Sequence, residues 1–167
     1  RLVEVPWCDH SYFPALMEML YLLGLPIRPS AAKLPHFLTI VLALSTIVLI
    51  GRTYFSRAAG LAGAVVFASV PMVLPEATTA YVDIALAAYT LLAMYCLLQW
   101  LTSTRWSEDA HPSPLSAHQS PLTSHHYLPL AGVFAGIAMS IKYTGLLIFG
   151  LLSAWVAIAW WRGRWWR

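Results

Sequence analysis

Apolar residues run along this chain in long blocks, and the blocks are the main structural signal. Leu34–Ile50 is apolar apart from His36, Thr39, Ser45 and Thr46, and Gly51 with Arg52 reads as its stop. With Ala31 and Ala32 in front, it can cross roughly 30 Å of hydrocarbon at about 1.5 Å per residue. Ala58–Leu74 is a second block, rich in small residues, with Pro71 inside it and Pro75 just beyond. Ala80–Leu101 is a third and carries a single acid, Asp83, near its start. Tyr127–Ile141 is a fourth and short one, and Tyr143–Trp161 is a fifth, with Lys142 between them. Phe13–Leu25 is apolar except for Glu18 and too short to span, which suits a juxtamembrane, re-entrant or tilted helix. The pattern therefore predicts an all-α, polytopic transmembrane bundle of about five membrane helices plus one short outer helix.

The expected organisation follows from these blocks. Residues 1–30 form an outer loop and juxtamembrane helix, 31–102 three transmembrane helices, 103–126 a cytoplasmic linker, 127–161 two more, and 162–167 a basic tail. The linker Ser103–His126 is rich in Pro, Ser and His. It holds a small tandem repeat, His111–Ala117 followed by His118–Ser124, whose prolines exclude a coiled coil. Its histidines have no fixed geometry, so a solvated linker is the simpler reading than a metal site. Arg1 is not a natural start, and the chain reads as a piece of a longer membrane protein.

Composition sharpens this. The 167 residues are 59% hydrophobic and only 10% charged. Soluble domains average about 25% charged residues, so a soluble fold would lack a polar surface. The same values exclude a disordered chain. Eight Trp and eight Tyr suit membrane–water interfaces. A net charge of +3 is too small and too scattered to bind nucleic acid. Basic residues favour one side: Arg52, Arg57, Arg105, Arg162, Arg164 and Arg167, against Arg1, Arg28, Lys33 and Lys142. By the positive-inside rule the first group is cytoplasmic. The acids Glu4, Asp9, Glu18, Glu76 and Asp83 then gather outside, which is where chemistry is expected. On this topology Cys8 and Cys96 lie too far apart for a disulfide.

The candidate residues each have a plain alternative. Asp83, one to two turns into its helix, costs on the order of 3 kcal/mol inside a span unless it faces protein or water. It could serve catalysis, or merely interact with the helix dipole. Lys142, in Ser140-Ile-Lys-Tyr-Thr-Gly145, could meet a phosphate as a point charge, or snorkel to the interface. Glu76 follows Pro75 in an outer loop and comes within reach of Asp83 if that loop folds back; otherwise it is a solvated acid. Glu18 suits the polar face of an interfacial helix. Glu4, Cys8, Asp9 and His10 could contact a cation or simply make the loop polar. His36 reads as an interfacial histidine. Gly132 and Gly136 form a small-xxx-small pair, expected at a close helix contact. No nucleotide-binding signature is present.

The ordered motifs carry a resemblance. Ser11-Tyr-Phe-Pro-Ala-Leu-Met-Glu-Met-Leu-Tyr21 is followed by a span closing in Gly51-Arg52, then Ala59–Ala64 running into Ser69-Val-Pro71. Ala80-Tyr-Val-Asp83, Leu130–Gly136 and Lys142-Tyr-Thr-Gly145 complete the set. The chain resembles the polytopic GT-C glycosyltransferases, the protein mannosyltransferase-like and lipid A aminoarabinose transferase-like group, over nearly its whole length. The resemblance implies a polyprenyl-phosphate sugar as donor and a glycan, lipid or protein as acceptor. It also implies a multi-pass position in a membrane, taken here as the bacterial cytoplasmic membrane. Asp83 falls where the group has an acid in the active-site cavity, supporting catalysis; Glu76, from its place in the chain alone, is taken as a second catalytic candidate. Lys142, with Tyr143, falls by the donor phosphate. Asp9, His10 and Tyr81 are candidate acceptor or cation contacts. The group's principal catalytic aspartate would precede Arg1, and its lysine-proline-proline motif meets Tyr12-Phe-Pro14 here, without the lysine.

The implied chemistry is inverting transfer. A carboxylate takes the acceptor proton, and lysine or a divalent cation stabilises the departing phosphate. No metal ligands are assigned. A transporter or lipid flippase using Asp83 and Lys142 as an intramembrane pair is the alternative, and a non-catalytic scaffold is a third reading.

Overall fold

A computed structural model describes residues 16–79, 81–109 and 124–165. Among them every regular element is helical: α1 (Leu16–Gly24), a 3-10 turn (Pro29–Lys33), α2 (Leu34–Tyr54), α3 (Arg57–Ser69), α4 (Val73–Thr78), α5 (Asp83–Asp109), α6 (Ser124–Ile141) and α7 (Thr144–Trp165). Three stretches are long and apolar enough to cross a membrane, Leu34–Tyr54, Asp83–Ser103 and Thr144–Arg162, while Arg57–Ser69 and His126–Ile141 are shorter apolar helices.

Several boundaries differ from the sequence reading, each for a local reason. Gly51 and Arg52 do not end α2, which runs on to Tyr54. Gly51 instead forms a crossing point. A Cβ on it would collide with the Gly60 backbone of α3, and a Cβ on Gly60 would reach the Val48 carbonyl oxygen at 2.6 Å. Backbones that close exclude any side chain. The turn between α2 and α3 is closed by Ser56, whose hydroxyl accepts the Ala59 N–H at 3.1 Å as a helix N-cap.

The block Ala58–Leu74 is not one helix. Val70, preceding Pro71, is extended (ψ 124°), as the proline ring requires of its neighbour. Helix α3 thus has 13 residues, about 20 Å at 1.5 Å per residue, and the chain restarts as α4. The third block begins at Asp83 rather than Ala80 and extends past Leu101 to Asp109, into the stretch read as linker. Asp83 is therefore the first residue of its helix, not one to two turns in. Helix α1 is shorter than the Phe13–Leu25 block, of which residues 13–15 lie outside the described residues. The linker's residues 110–123 lie outside them as well.

Helix α5 is central, and alanines let its neighbours approach. Ala85, Ala88 and Ala93 on α5 and Ala138 on α6 are fully buried, with Ala131 and Ala135 nearly so. Recurrence every three to four residues puts the α6 alanines on one stripe. The expected packing role of Gly132 and Gly136 is not borne out among the described residues: a Cβ on either would meet none of them within 4 Å. They lie next to the alanine stripe and point away from it. Apolar clusters then tie the helices together. Met17 and Tyr21 pack with Ala85 and Ile141, while Ile40 packs with Val73, Ala77 and Ile84. Cys96 and Leu97 pack with Tyr127 and Ala131. Glu18 is exposed on α1, but the residues exposed beside it are Met19, Leu22 and Leu23, so the helix has no polar face.

Candidate functional site

Asp83 and Lys142, 59 positions apart in the chain, meet at one end of the bundle. Lys142 Nζ donates to Asp83 Oδ1 at 2.7 Å, with side-chain exposures of 43% and 37%. Asp83 opens α5, where a negative charge also meets the positive end of the helix dipole. Lys142 sits in the turn from α6 to α7. Its carbonyl accepts the Gly145 N–H at 2.8 Å, and the Tyr143 carbonyl accepts the Leu146 N–H at 3.0 Å. Gly145 makes so sharp a turn possible. A Cβ there would strike the α6 backbone at Ala138 and Met139.

Half-exposed and paired, the two groups keep capacity to spare. An ammonium has three N–H donors, and Asp83 takes one of them. The second carboxylate oxygen of Asp83 has no hydrogen bond among the described residues. The pair can thus present an anion-binding cation held in place by a carboxylate. A surface-type pair of this exposure adds little to stability, about 0–1 kcal/mol.

A second network stands beside it. The Tyr21 hydroxyl donates to the Tyr81 carbonyl at 2.9 Å and lies 3.2 Å from His36 Nδ1. The two rings meet edge to face with centroids 6.3 Å apart. His36 is completely buried, contrary to its reading as an interfacial histidine. Burial pushes the Tyr21 phenol up to about 12, with the Glu18 charge adding, so it remains a donor at neutral pH. The sequence held one clue: Thr39 lies on the same face of α2, and its hydroxyl donates to the His36 carbonyl at 2.6 Å. Polar residues three apart at the start of an apolar helix mark an inward-facing polar patch.

The remaining candidates are placed as follows. Glu76 lies on α4, and its carboxylate makes no hydrogen bond or ion pair with the described residues. Tyr81 and Tyr143 are exposed by 55% and 48%. Asp9 and His10 lie outside the described residues. No group of three or more His, Cys, Asp or Glu able to hold a metal ion occurs among the described residues, and Lys142 already occupies one Asp83 oxygen. These residues do not make a fitting set for a divalent cation.

Apolar helices long enough to cross a bilayer, with a charged pair at the turn joining two of them, define an integral membrane protein with a polar centre at one end of its bundle. The chain belongs to the dolichyl-phosphate-mannose-protein mannosyltransferase family, whose model matches residues 29–167. It is thus a membrane glycosyltransferase of the GT-C type, and the transporter and scaffold readings fall away. No curated protein and no solved structure gives a significant match to it.

Proposed function

We propose that this chain supplies part of the active site of a transferase that moves a sugar from a polyprenyl-phosphate donor to a hydroxyl acceptor at the outer membrane face, with inversion. The observation that carries this reading is the half-exposed Asp83–Lys142 pair at 2.7 Å. A lysine with two unspent N–H donors suits the phosphate oxygens of such a donor, whose lipid tail would remain in the bilayer. Mannose is the sugar that the family description names.

In this mechanism the acceptor oxygen attacks the anomeric carbon as the bond from that carbon to the phosphate oxygen breaks. Polyprenyl phosphate leaves with the electron pair, and Lys142 stabilises the added charge. The acceptor proton passes to a carboxylate. Asp83 is less suited to that task, because its carboxylate already holds the Lys142 ammonium at 2.7 Å. It is better suited to aiming Lys142. Glu76, with its carboxylate unengaged, is the candidate base in this chain, and Tyr81 and Tyr143 offer exposed rings against which a sugar could rest. No step is assigned to a metal. The five apolar helices are taken as membrane helices, with 103–126 and 162–167 on the cytoplasmic side and the bacterial cytoplasmic membrane as host.

The test is transfer from polyprenyl-phosphate mannose by the full-length protein in membranes. Lys142→Ala should abolish saturation by the donor while insertion persists. Unchanged donor KM and turnover would remove lysine from the phosphate site.

A further inference from the structure

Helix α1 lies outside the residues that the family match covers, yet it packs against chain neighbours of both partners of the ion pair. Met17 and Tyr21 pack against Ala85, two residues after Asp83, and against Ile141, the residue before Lys142. Tyr21, only 8% exposed, also grips the Tyr81 carbonyl, two residues before Asp83. The direction in which the first side chain of a helix leaves depends on the peptide planes just ahead of it. A donor fixed on the Tyr81 carbonyl therefore constrains where the Asp83 carboxylate points.

The Tyr21 hydroxyl donates to the Tyr81 carbonyl. His36 Nδ1 stands 3.2 Å from the same phenol oxygen, with the two rings edge to face. His36 Nε2 is buried with no hydrogen-bond partner among the described residues. A buried ring nitrogen left unpaired is unfavourable, and an apolar residue would fill the space without that cost. The polar contact that His36 does make is on its Nδ1 side, where the ring orients the phenol.

We propose that Tyr21 and His36 are positioning residues for the Asp83–Lys142 pair: His36 orients the Tyr21 hydroxyl, which holds the Tyr81 carbonyl and so sets Asp83 facing Lys142. The catalytic consequence rests on the phosphate role proposed above for Lys142. The positioning itself does not, and it can be measured without substrate.

Lys33 and Lys142 are the two lysines of this chain, and Lys33 is exposed. Trace acetylation with acetic anhydride of the full-length protein in membranes, read by peptide mass spectrometry, gives the Lys142/Lys33 labelling ratio. Ion pairing to Asp83 protects Lys142, so Asp83→Asn should raise the ratio. Tyr21→Phe should raise it by roughly five-fold, the factor one hydrogen bond of ordinary net strength carries. His36→Leu should do the same, and His36→Asn, which keeps a polar group near the place of Nδ1, should restore most of the protection. In an Asp83→Asn background Tyr21→Phe should change nothing further. A wild-type ratio in both Tyr21→Phe and His36→Leu, or an equal rise in the Asp83→Asn background, overturns the proposal. Loss of donor use by Lys142→Ala is a separate result, so failure of the donor reading and failure of the positioning remain distinguishable.

Discussion

Lys142 Nζ lies 2.7 Å from Asp83 Oδ1, joining the turn between α6 and α7 to the first residue of α5. Neither residue sits deep in a helix. Both stand where a chain segment enters or leaves the bundle, so the pair closes one end of the α5–α6 seam. The alanine stripe sets how near those two helices come, and Gly145 sets how sharply α7 turns away.

Replacing Lys142 should separate charge from shape. Lys142→Ala is expected to lose donor saturation, and Lys142→Arg to keep part of the activity, since the charge survives on a larger planar head group. Steady-state transfer with polyprenyl-phosphate mannose reads both. An arginine variant as inactive as the alanine one would mean that charge alone is not what the site needs.

Asp83→Asn should divide activity from stability. The pair is more than a third exposed on both sides, so breaking it should cost no more than about 1 kcal/mol of stability. Transfer should fall by orders of magnitude, because an amide neither aims nor balances the ammonium. Thermal unfolding in detergent alongside an activity assay makes the comparison. Near-wild-type transfer would take Asp83 out of the site.

The glycines should divide into two classes. Gly51→Ala and Gly60→Ala force apart backbones already in contact and should each destabilise by about 1–3 kcal/mol. Gly132→Ala and Gly136→Ala point into open space and should stay within about 0.5 kcal/mol of wild type. Denaturation midpoints of the four variants decide this. A large effect at Gly132 would reveal a partner surface on that face of α6.

The Tyr21 phenol fixes a pH expectation. Its folded value is raised to about 12, against 10.0 for the free group, so the folded state holds the proton more tightly. The stabilisation is fully present below pH 10 and is lost as pH rises through the folded value. Between pH 7 and 10 the activity profiles of wild type and Tyr21→Phe should therefore differ in height and not in shape. An ionisation in that interval seen only in the wild type would contradict the assignment.

Topology has its own measurement. Leu115→Cys, in the Pro/Ser/His-rich segment, should react with an impermeant thiol reagent from the cytoplasmic side only. Labelling from the outer side alone would invert the orientation proposed for every helix.

The sequence by itself determined the helical membrane character, the approximate position of each apolar block and the two charged residues worth watching. These follow from composition and from the cost of leaving an unpaired charge in hydrocarbon, both of which are local properties. The family's motif order was equally legible. Only the tertiary structure decided which small residues touch. Gly51 looked like a stop but forms a crossing with Gly60, while Gly132 and Gly136 looked like a contact and face open space beside an alanine stripe. A small side chain permits close approach and does not require it, so the partner helix chooses the face. The same holds for the site. Asp83 meets Lys142 because α5 and α6 pack side by side, and Tyr21, His36 and Tyr81 meet because α1 folds across the starts of α2 and α5. Their separations in the chain, 59, 15 and 60 residues, carry no periodic signal by which the sequence alone could have joined them.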